Sequence, residues 1–268
     1  GFLKEDEIQL SPVITFISTG KSDEPFEVQI PHGANMILSS AKWHFMVKEL
    51  VNNVWVAVRQ SRKGIQNLVP KSNYISFETN HLSTFVVTGK LENYSLQAFK
   101  RMKVAAFCSE TSIGEDLTLR LYCFDDCEYS LEKLMKKEQQ KGGKLVSSID
   151  SLDVDVNSDR DVEISTTDSK GWRLDQASPM KLSSNLLRNS FDKIPQCNLV
   201  FHPTTPPDKS SFFVVLTLTQ DSYTQTVVFA STVIKKTPCS QGYRNELHRK
   251  NESSDGSDGK CIIQIMKK

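Results

Sequence analysis

The sequence predicts a mainly β protein built from two β-sandwich-like domains with one short helix. Two observations support this class. Short apolar runs alternate with clusters of Gly, Pro, Asn, Asp and Ser between residues 13 and 231, a pattern typical of many short antiparallel strands. Between residues 119 and 146 the apolar spacing changes from a period of two to the helical period, and a second apolar run follows. This change predicts strand, short helix, strand.

The apolar runs fall into two sets. The first set predicts strands at 13–17, 26–30, 43–47, 54–58, 74–77 and 84–87. The second set predicts strands at 104–107, 117–124, 162–165, 172–174, 198–201, 212–218 and 226–231. Alternate residues of the 212–218 run, starting at Phe212, are all apolar, while the others include Thr217, as in a sandwich strand with one partly exposed surface.

The helix is predicted between two strands of the second set. Before it, Leu117, Leu119, Leu121 and Cys123 alternate with other residues, which predicts a strand with one buried face. After it begins, the residues at helical spacing are Leu131, Leu134, Met135 and Glu138. The pair Gly142-Gly143 supplies a left-handed stop, and the lysines of the last turns suit the negative end of the helix dipole.

A chain of 268 residues is long enough for two compact domains. We expect a first domain at 1–92, a second at 98–234 and a disordered tail at 235–268, where Lys, Ser, Asp, Gly and Asn dominate apart from one apolar island at 262–265. The acidic, Ser-rich stretch 147–161 fits a thin edge strand and a flexible loop equally well. The two domains should meet near residues 91–100.

Four motifs in order carry a resemblance to known proteins. Leu10-Ser11-Pro12-Val13, Ile30-Pro31-His32-Gly33-Ala34 with Trp55, and His81-Leu82-Ser83-Thr84-Phe85 resemble the second half of the ZU-five β domain. The stretch 119–146, with YC, DD, a leucine-bearing helix and EQQ-GG-LV, resembles the UPA domain that follows it in Unc-five netrin receptors, ankyrins and certain death-domain adaptors. The resemblance covers roughly residues 10–234.

The resemblance implies a non-catalytic interaction scaffold or regulatory module of a cytoplasmic signalling protein, of death-domain or netrin-receptor type. Its partners would be other proteins, including a death domain in full-length relatives; the 34 residues at 235–268 are too few for one. Only the later half of a ZU-five pattern is present, so we expect an exposed sheet edge in the first domain. An ankyrin-like cytoskeletal adaptor is an alternative, and the oligomeric state is open.

Composition and motifs argue against several other classes. The net charge of +1 gives no field that would attract nucleic acid, and no apolar stretch approaches the ~20 residues that cross a bilayer. No G-x-S-x-G, phosphate-binding loop, HExxH or glycine fingerprint occurs, so we expect neither an enzyme nor a cofactor. The six cysteines form no zinc or disulfide pattern and no secretory signal precedes them, which favours reduced thiols in the cytoplasm.

His81 and Ser83 are candidate autoprocessing residues. Some ZU-five/UPA proteins carry His-Phe-Ser here and cut themselves before the Ser, so Ser83 would attack the carbonyl of Leu82 while His81 takes the hydroxyl proton. Leu replaces Phe in this chain. The alternative is that His81 and Ser83 share one face of a strand while Leu82 packs into the core, and this structural role is the one we expect.

Lysines on the predicted helix are the candidate binding residues. Lys133, Lys136 and Lys137, with Lys141 and Lys144 nearby, form either a solvated helix face or a docking patch for an acidic partner. His32, beside a turn, is expected to make a structural hydrogen bond at a strand end rather than bind a ligand. The tryptophans are expected to anchor the cores, at Trp43, Trp55 and Trp172. No metal site is predicted.

Overall fold

The structure is a computed structural model that describes residues 3–4, 6–18, 25–58, 65–109, 115–146, 148–175, 180–189, 193–204, 211–232 and 260–265. Its strands are β1 (Ile8–Gln9), β2 (Val13–Ser18), β3 (Phe26–Pro31), β4 (Trp43–Val51), β5 (Val54–Ala57), β6 (Ile65–Pro70), β7 (Tyr74–Thr79), β8 (Thr84–Leu91), β9 (Phe99–Ser109), β10 (Leu117–Asp125), β11 (Gly143–Leu145), β12 (Asp150–Asp155), β13 (Val162–Asp168), β14 (Trp172–Leu174), β15 (Lys181–Leu182), β16 (Gln196–Pro203), β17 (Ser211–Gln220), β18 (Tyr223–Thr232) and β19 (Lys260–Ile265). The helices are α1 (Glu128–Gln140) and α2 (Ser184–Arg188).

The first half of the chain folds into two facing sheets. One sheet has the order β19-β2-β8-β4-β5, with β1 also on β8, and the other has the order β3-β7-β6. Apolar side chains from both sheets fill the space between them: Phe77 of β7 meets Phe85 of β8 edge to face, with ring centroids 5.2 Å apart. The sandwich predicted from the first set of apolar runs is confirmed.

The second half repeats this architecture with different strands. One sheet has the order β11-β9-β10-β16-β14, with β12 also on β9, and the other has the order β15-β13-β17-β18. Phe201 of β16 and Phe212 of β17 meet edge to face across the core at 5.2 Å, and Trp172 packs on Phe212 at 5.5 Å. The mainly β class with two sandwiches is therefore confirmed, and residues 150–155 form strand β12 rather than a loop.

Two details of the second half differ from prediction. The strand that ends at Asp125 was expected to bury one face, but both faces are buried at Tyr122 and Phe124 because α1 lies over them. One short helix was expected, and a second, α2, follows β15. Its five residues are too short to give a clear helical period in the sequence. The strand-helix-strand plan of β10, α1 and β11 is confirmed.

The two sandwiches join through direct main-chain and side-chain contacts. The turn after β3 bonds to the start of β9, where the Asn35 N–H donates to the Phe99 carbonyl at 2.8 Å and Ala34 bridges to Lys100. The Asn35 amide donates to Asp153 of β12 at 2.9 Å. Val156, just after β12, packs into the first core. The meeting point near residues 91–100 and the limits 1–92 and 98–234 remain predictions.

The C-terminal segment is described only at residues 260–265. There the chain forms β19, which pairs in parallel with β2. The predicted disorder of the tail is wrong for this apolar island, because its main chain completes a sheet edge. For the rest of the predicted tail beyond Thr232, the prediction lies outside the described residues.

Candidate functional site

Helix α1 begins at a cysteine cap and ends at the predicted glycine pair. The Cys127 sulfur accepts a hydrogen bond from the Ser130 N–H at 3.4 Å, and burial raises the pKa of the Cys127 thiol. At the other end Gly142 takes a φ of 69°, the left-handed conformation that glycine adopts without a steric cost. The local sequence thus fixes both ends of the helix.

The inner face of α1 buries a carboxylate as well as apolar groups. Leu134 packs against Tyr122 and Phe124, and Glu138, one turn later, is fully buried beneath the helix. Burying a side chain of the size of Leu134 contributes about 1.5–3 kcal/mol. Because an unpaired buried charge would be strongly unfavourable, the partners of Glu138 decide whether the helix can lie here.

Glu138 is fully paired by β10. Arg120 donates to Glu138 Oε2 from Nε at 2.9 Å and from Nη2 at 2.7 Å, and the Tyr122 hydroxyl donates to Oε1. Burial alone would raise the pKa of Glu138, but the hydrogen bonds from Arg120 and Tyr122 outweigh it and leave the pKa below its ordinary value. Burial also raises the pKa of Tyr122, with the Glu138 carboxylate adding to the shift. We call Arg120, Tyr122 and Glu138 the helix base.

The second glycine of the pair has a different role from the first. A Cβ at Gly143 would collide with Glu138 Oε2 and lie 2.7 Å from Arg120 Nη2, whereas a Cβ at Gly142 would meet nothing within 4 Å. Gly143 therefore lets β11 pass close to the helix base. The EQQ-GG-LV stretch thus contains the buried acid Glu138, the helix stop at Gly142, and Gly143, which lets β11 pass close to that acid.

The outer face of α1 carries the predicted lysines. Lys133, Lys136 and Lys137 are exposed, and we call them the lysine face. Lys137 lies over the Tyr122 ring, 5.4 Å from its centroid, and donates to Gln196 at 3.4 Å. Its pKa is lowered by partial burial and by the like charges of Lys141 and Lys133, with Glu138 opposing. Within the described part of the chain, Lys133 and Lys136 make no ion pair.

The autoprocessing candidates lie in the connection between β7 and β8, before the strand begins at Thr84. His81 bonds through Nε2 to Glu49 Oε1 at 2.7 Å and through Nδ1 to Thr79 Oγ1 at 3.1 Å. Both ring nitrogens thus have partners other than Ser83. We call Glu49, Thr79 and His81 the corner cluster. The expectation of one shared strand face is wrong here, because the chain turns at His81, while Leu82 packs against the first core as predicted.

His32 is buried at the end of β3. Its Nε2 lies 3.0 Å from the Lys71 carbonyl, which confirms the predicted structural hydrogen bond, and its ring packs on Phe45. Nδ1 is buried without a hydrogen-bond partner among the described residues. Burial lowers the pKa of His32, and the hydrogen bond to the Lys71 carbonyl opposes this shift only in part. This histidine is neutral in the folded chain at neutral pH.

The domain junction contains polar residues that sequence reasoning missed. Asp155 Oδ1 accepts from the Ala98 N–H at 3.2 Å, and the Asn157 amide donates to the Leu96 carbonyl at 3.0 Å. Lys100 is fully buried and pairs with Asp125 at 2.8 Å. The signal was present in the acidic 147–161 stretch, whose Asp155 and Asn157 bond to main-chain groups in the segment that joins the two domains. The polar composition of this stretch alone predicts a loop or an edge strand and does not reveal these contacts.

Several residues fall where the sequence placed them or carry no site. Trp43 and Trp172 are buried in the two cores as predicted, whereas Trp55 is half-buried on the short strand β5 and is not among the core residues, so its predicted role as an anchor is wrong. Cys108, Cys123, Cys127 and Cys197 are free thiols, whereas Cys239 and the Cys261 side chain lie outside the described part. In the described ranges, no three His, Cys, Asp or Glu side chains come together as a metal site. Neither α1 nor α2 has the length and apolar character needed to cross a bilayer.

Comparison with known proteins agrees with this architecture. Residues 98–197 match the family model described as the UPA domain. The chain is 28% identical over 149 residues to the netrin receptor UNC5D of Rattus norvegicus, and equally to that of Mus musculus. Each match spans 52% of this chain and 15% of the receptor. The chain thus carries a UPA domain and is similar to a small part of these receptors, as the ZU-five/UPA resemblance predicts.

Proposed function

We propose that this chain, which carries a UPA domain, is a non-catalytic interaction module of a cytoplasmic signalling protein of netrin-receptor or death-domain type. The observation that carries the proposal is the lysine face of α1, which is exposed on one side while the helix base holds the other side to the sheet. A surface fixed in this way loses little conformational freedom when a partner binds. The free thiols are consistent with a reducing compartment.

The charge of the lysine face determines the kind of partner. Besides partial burial, the charges of Lys141 and Lys133 lower the pKa of Lys137, so like charges already repel each other on this surface. An acidic protein surface would relieve this repulsion and would gain encounter rate from the opposite field. We therefore assign the lysine face to an acidic surface on another protein, or on another domain of the same protein.

A death domain of a full-length relative is the partner we propose. The resemblance implies that such a domain follows this module in related receptors and packs against it. The contacts between Asn35, Phe99 and Asp153 hold the two sandwiches together, which would let a bound domain be restrained against both. The module would then regulate signalling by holding the death domain until it is released.

The test is a titration of the purified chain with an isolated death domain from a netrin receptor. We expect the variant Lys133→Glu/Lys136→Glu to bind at least about tenfold more weakly than the wild type, because it places like charges against an acidic surface. The affinity of the wild type should also fall as salt rises from about 0.05 to 0.5 M, since exposed charges are screened. Calorimetry measures both effects.

The matched control is Lys42→Glu/Lys71→Glu, which makes the same change in net charge on exposed residues of the first domain. It should bind as the wild type does. If both double variants lose affinity equally, only net charge matters and the lysine face is not the site. If the death domain does not bind the wild type at all, the proposed partner is wrong.

A further inference from the structure

Strand β2 occupies an unusual place in the first sandwich. On one side it pairs with β8 through Ile14↔Phe85 and Thr15↔Thr84. On its other side it pairs along its whole length with β19, from Lys260↔Val13 to Ile265↔Ser18. A segment that lies far away in the sequence thus covers one edge of the first domain, for which the sequence predicts an exposed sheet edge.

The register of β19 matches the two faces of β2. Ile14 and Phe16 belong to the first core, whereas Ile17 is 44% exposed. The alternate residues Cys261, Ile263 and Ile265 stand at the register positions of Ile14, Phe16 and Ser18. The polar residue Gln264 stands at the register position of the exposed Ile17, while Lys260 stands at that of the buried Val13 and Ile262 at that of Thr15. A slip of one residue would move Gln264 to the register position of the core residue Phe16 or to that of Ser18 on the same face, so the sequence favours the observed register.

The connection between β18 and β19 permits a parallel strand. Parallel neighbours need a crossover of about a dozen residues or more. Here the 27 residues from 233 to 259 separate the two strands, and such a chain can reach at most about 90 Å. Because both strands are parts of one molecule, the local concentration of β19 at the edge is on the order of millimolar.

We propose that the outer edge of β2 is a strand-acceptor site, and that the chain's own Lys260–Ile265 segment fills it as an intramolecular plug. An open edge of this kind is a template for pairing with another chain, and sheet edges capture extended peptides by adding them as a strand. An extended peptide with alternating apolar residues binds here only by displacing β19. The plug therefore competes with any other strand for the outer edge of β2.

The first test uses a fluorescent peptide with the sequence of residues 258–268 and Ser in place of Cys261. The full chain carries Ile263→Pro, which removes a main-chain donor and disrupts β19. The peptide should bind this variant at least about tenfold more tightly than the wild type, where the plug competes. The control Ser254→Pro places the same residue in the segment before β19 and should behave as the wild type.

Equal binding to all three chains, or no binding to the Ile263→Pro chain, would overturn the proposal. Because Ile263 lies on the edge strand β19 of the first sandwich, the unfolding midpoint of the second sandwich should match that of the wild type. A scrambled peptide of the same composition should bind none of the chains. If it binds Ile263→Pro as well as the native order does, the edge has no register preference and the proposal fails.

The second test fixes the register by cross-linking. In a chain with Cys239→Ser and Cys261→Ser, the pair Ile17→Cys/Gln264→Cys should form a disulfide within one chain, because residues 17 and 264 are direct neighbours. The control pair Ile17→Cys/Ile262→Cys is two residues out of register and should not. A link in the control pair, or a link between two chains, would contradict an intramolecular plug.

Discussion

The helix base and the corner cluster contain similar groups in different surroundings. Each joins an acid to a hydroxyl and a cation or imidazole: Arg120, Tyr122 and Glu138 in one, Glu49, Thr79 and His81 in the other. In the helix base the acid has no exposed surface, whereas the His81 side chain is 41% exposed. Water can replace lost contacts at the corner but not beneath the helix.

This difference separates two functions of polar residues. The helix base fixes a whole helix, and with it the lysine face, because every lost contact leaves a charge buried. The corner cluster fixes a single chain reversal between β7 and β8, and solvent limits its contribution. Similar substitutions in the two clusters should therefore lower the free energy of unfolding by different amounts.

The largest expected effect is that of Glu138→Ala. It leaves Arg120 buried without its partner carboxylate and removes the acceptor of Tyr122, so the free energy of unfolding of the second domain should fall by about 3–5 kcal/mol. Hydrogen exchange over α1, followed by mass spectrometry, measures this loss locally. Protection of α1 equal to that of the wild type would mean that the helix base does not hold the helix.

Gly143→Ala comes next. The added Cβ collides with the Glu138 carboxylate, and the strain should cost about 1–3 kcal/mol. The neighbouring control, Gly142→Ala, meets no atom but requires a positive φ, at a cost of about 1 kcal/mol. Thermal unfolding measures both, and in a Glu138→Ala background the cost of Gly143→Ala should shrink while that of Gly142→Ala stays. A cost at Gly143 that does not depend on Glu138 would rule out the close approach.

Mild acid should weaken the first domain through His32. Its pKa in the folded chain is below the ordinary 6.5 because it is buried, so the unfolded chain takes up a proton first as pH falls. Stability should be full above about pH 6.5 and should decline below it, by at most about 1.4 kcal/mol per pH unit, down to the folded pKa. Denaturant unfolding of His32→Gln should lack this decline.

The control for this pH effect is His44→Gln, which changes an exposed histidine of β4. It should retain the decline of the wild type between neutral pH and pH 5.5. A decline that survives in His32→Gln would assign the effect to another group.

The smallest expected effect is that of His81→Ala. It removes the bonds to Glu49 and Thr79, but water reaches the site, so the loss should be at most about 1 kcal/mol. Denaturant unfolding compares this variant with Glu138→Ala. A loss as large as that of Glu138→Ala would remove the distinction between the two clusters.

The sequence predicts the strands and the helix end better than it predicts which polar side chains are buried. Strands such as β10 and β17 follow from the period of two, and the end of α1 follows from Gly142, because these are local properties of the chain. The burial of Glu138 is not local. An acid at helical spacing fits a solvated face equally well, and only Arg120 and Tyr122 on the adjacent strand make the buried position favourable.

Contacts between distant parts of the chain also explain why the sequence does not predict the polar contacts at the domain junction or the strand in the tail. Asp155 and Asn157 bond to main-chain groups of Ala98 and Leu96, which lie 57 and 61 residues earlier in the chain, and composition cannot reveal such contacts. The island at 262–265 has the apolar pattern of a strand, but its place beside β2 depends on an edge some 245 residues away in the sequence. The lysine face was identified correctly as exposed because charge at helical spacing is itself a local signal.

The central proposal is that this module binds other proteins and is not catalytic, even toward its own chain. The most direct test is the intact mass of the freshly purified protein, beside that of Ser83→Ala. We predict a single full-length mass for both, because His81 bonds to Glu49 and Thr79 instead of Ser83. A break between Leu82 and Ser83 that Ser83→Ala abolishes would contradict the account.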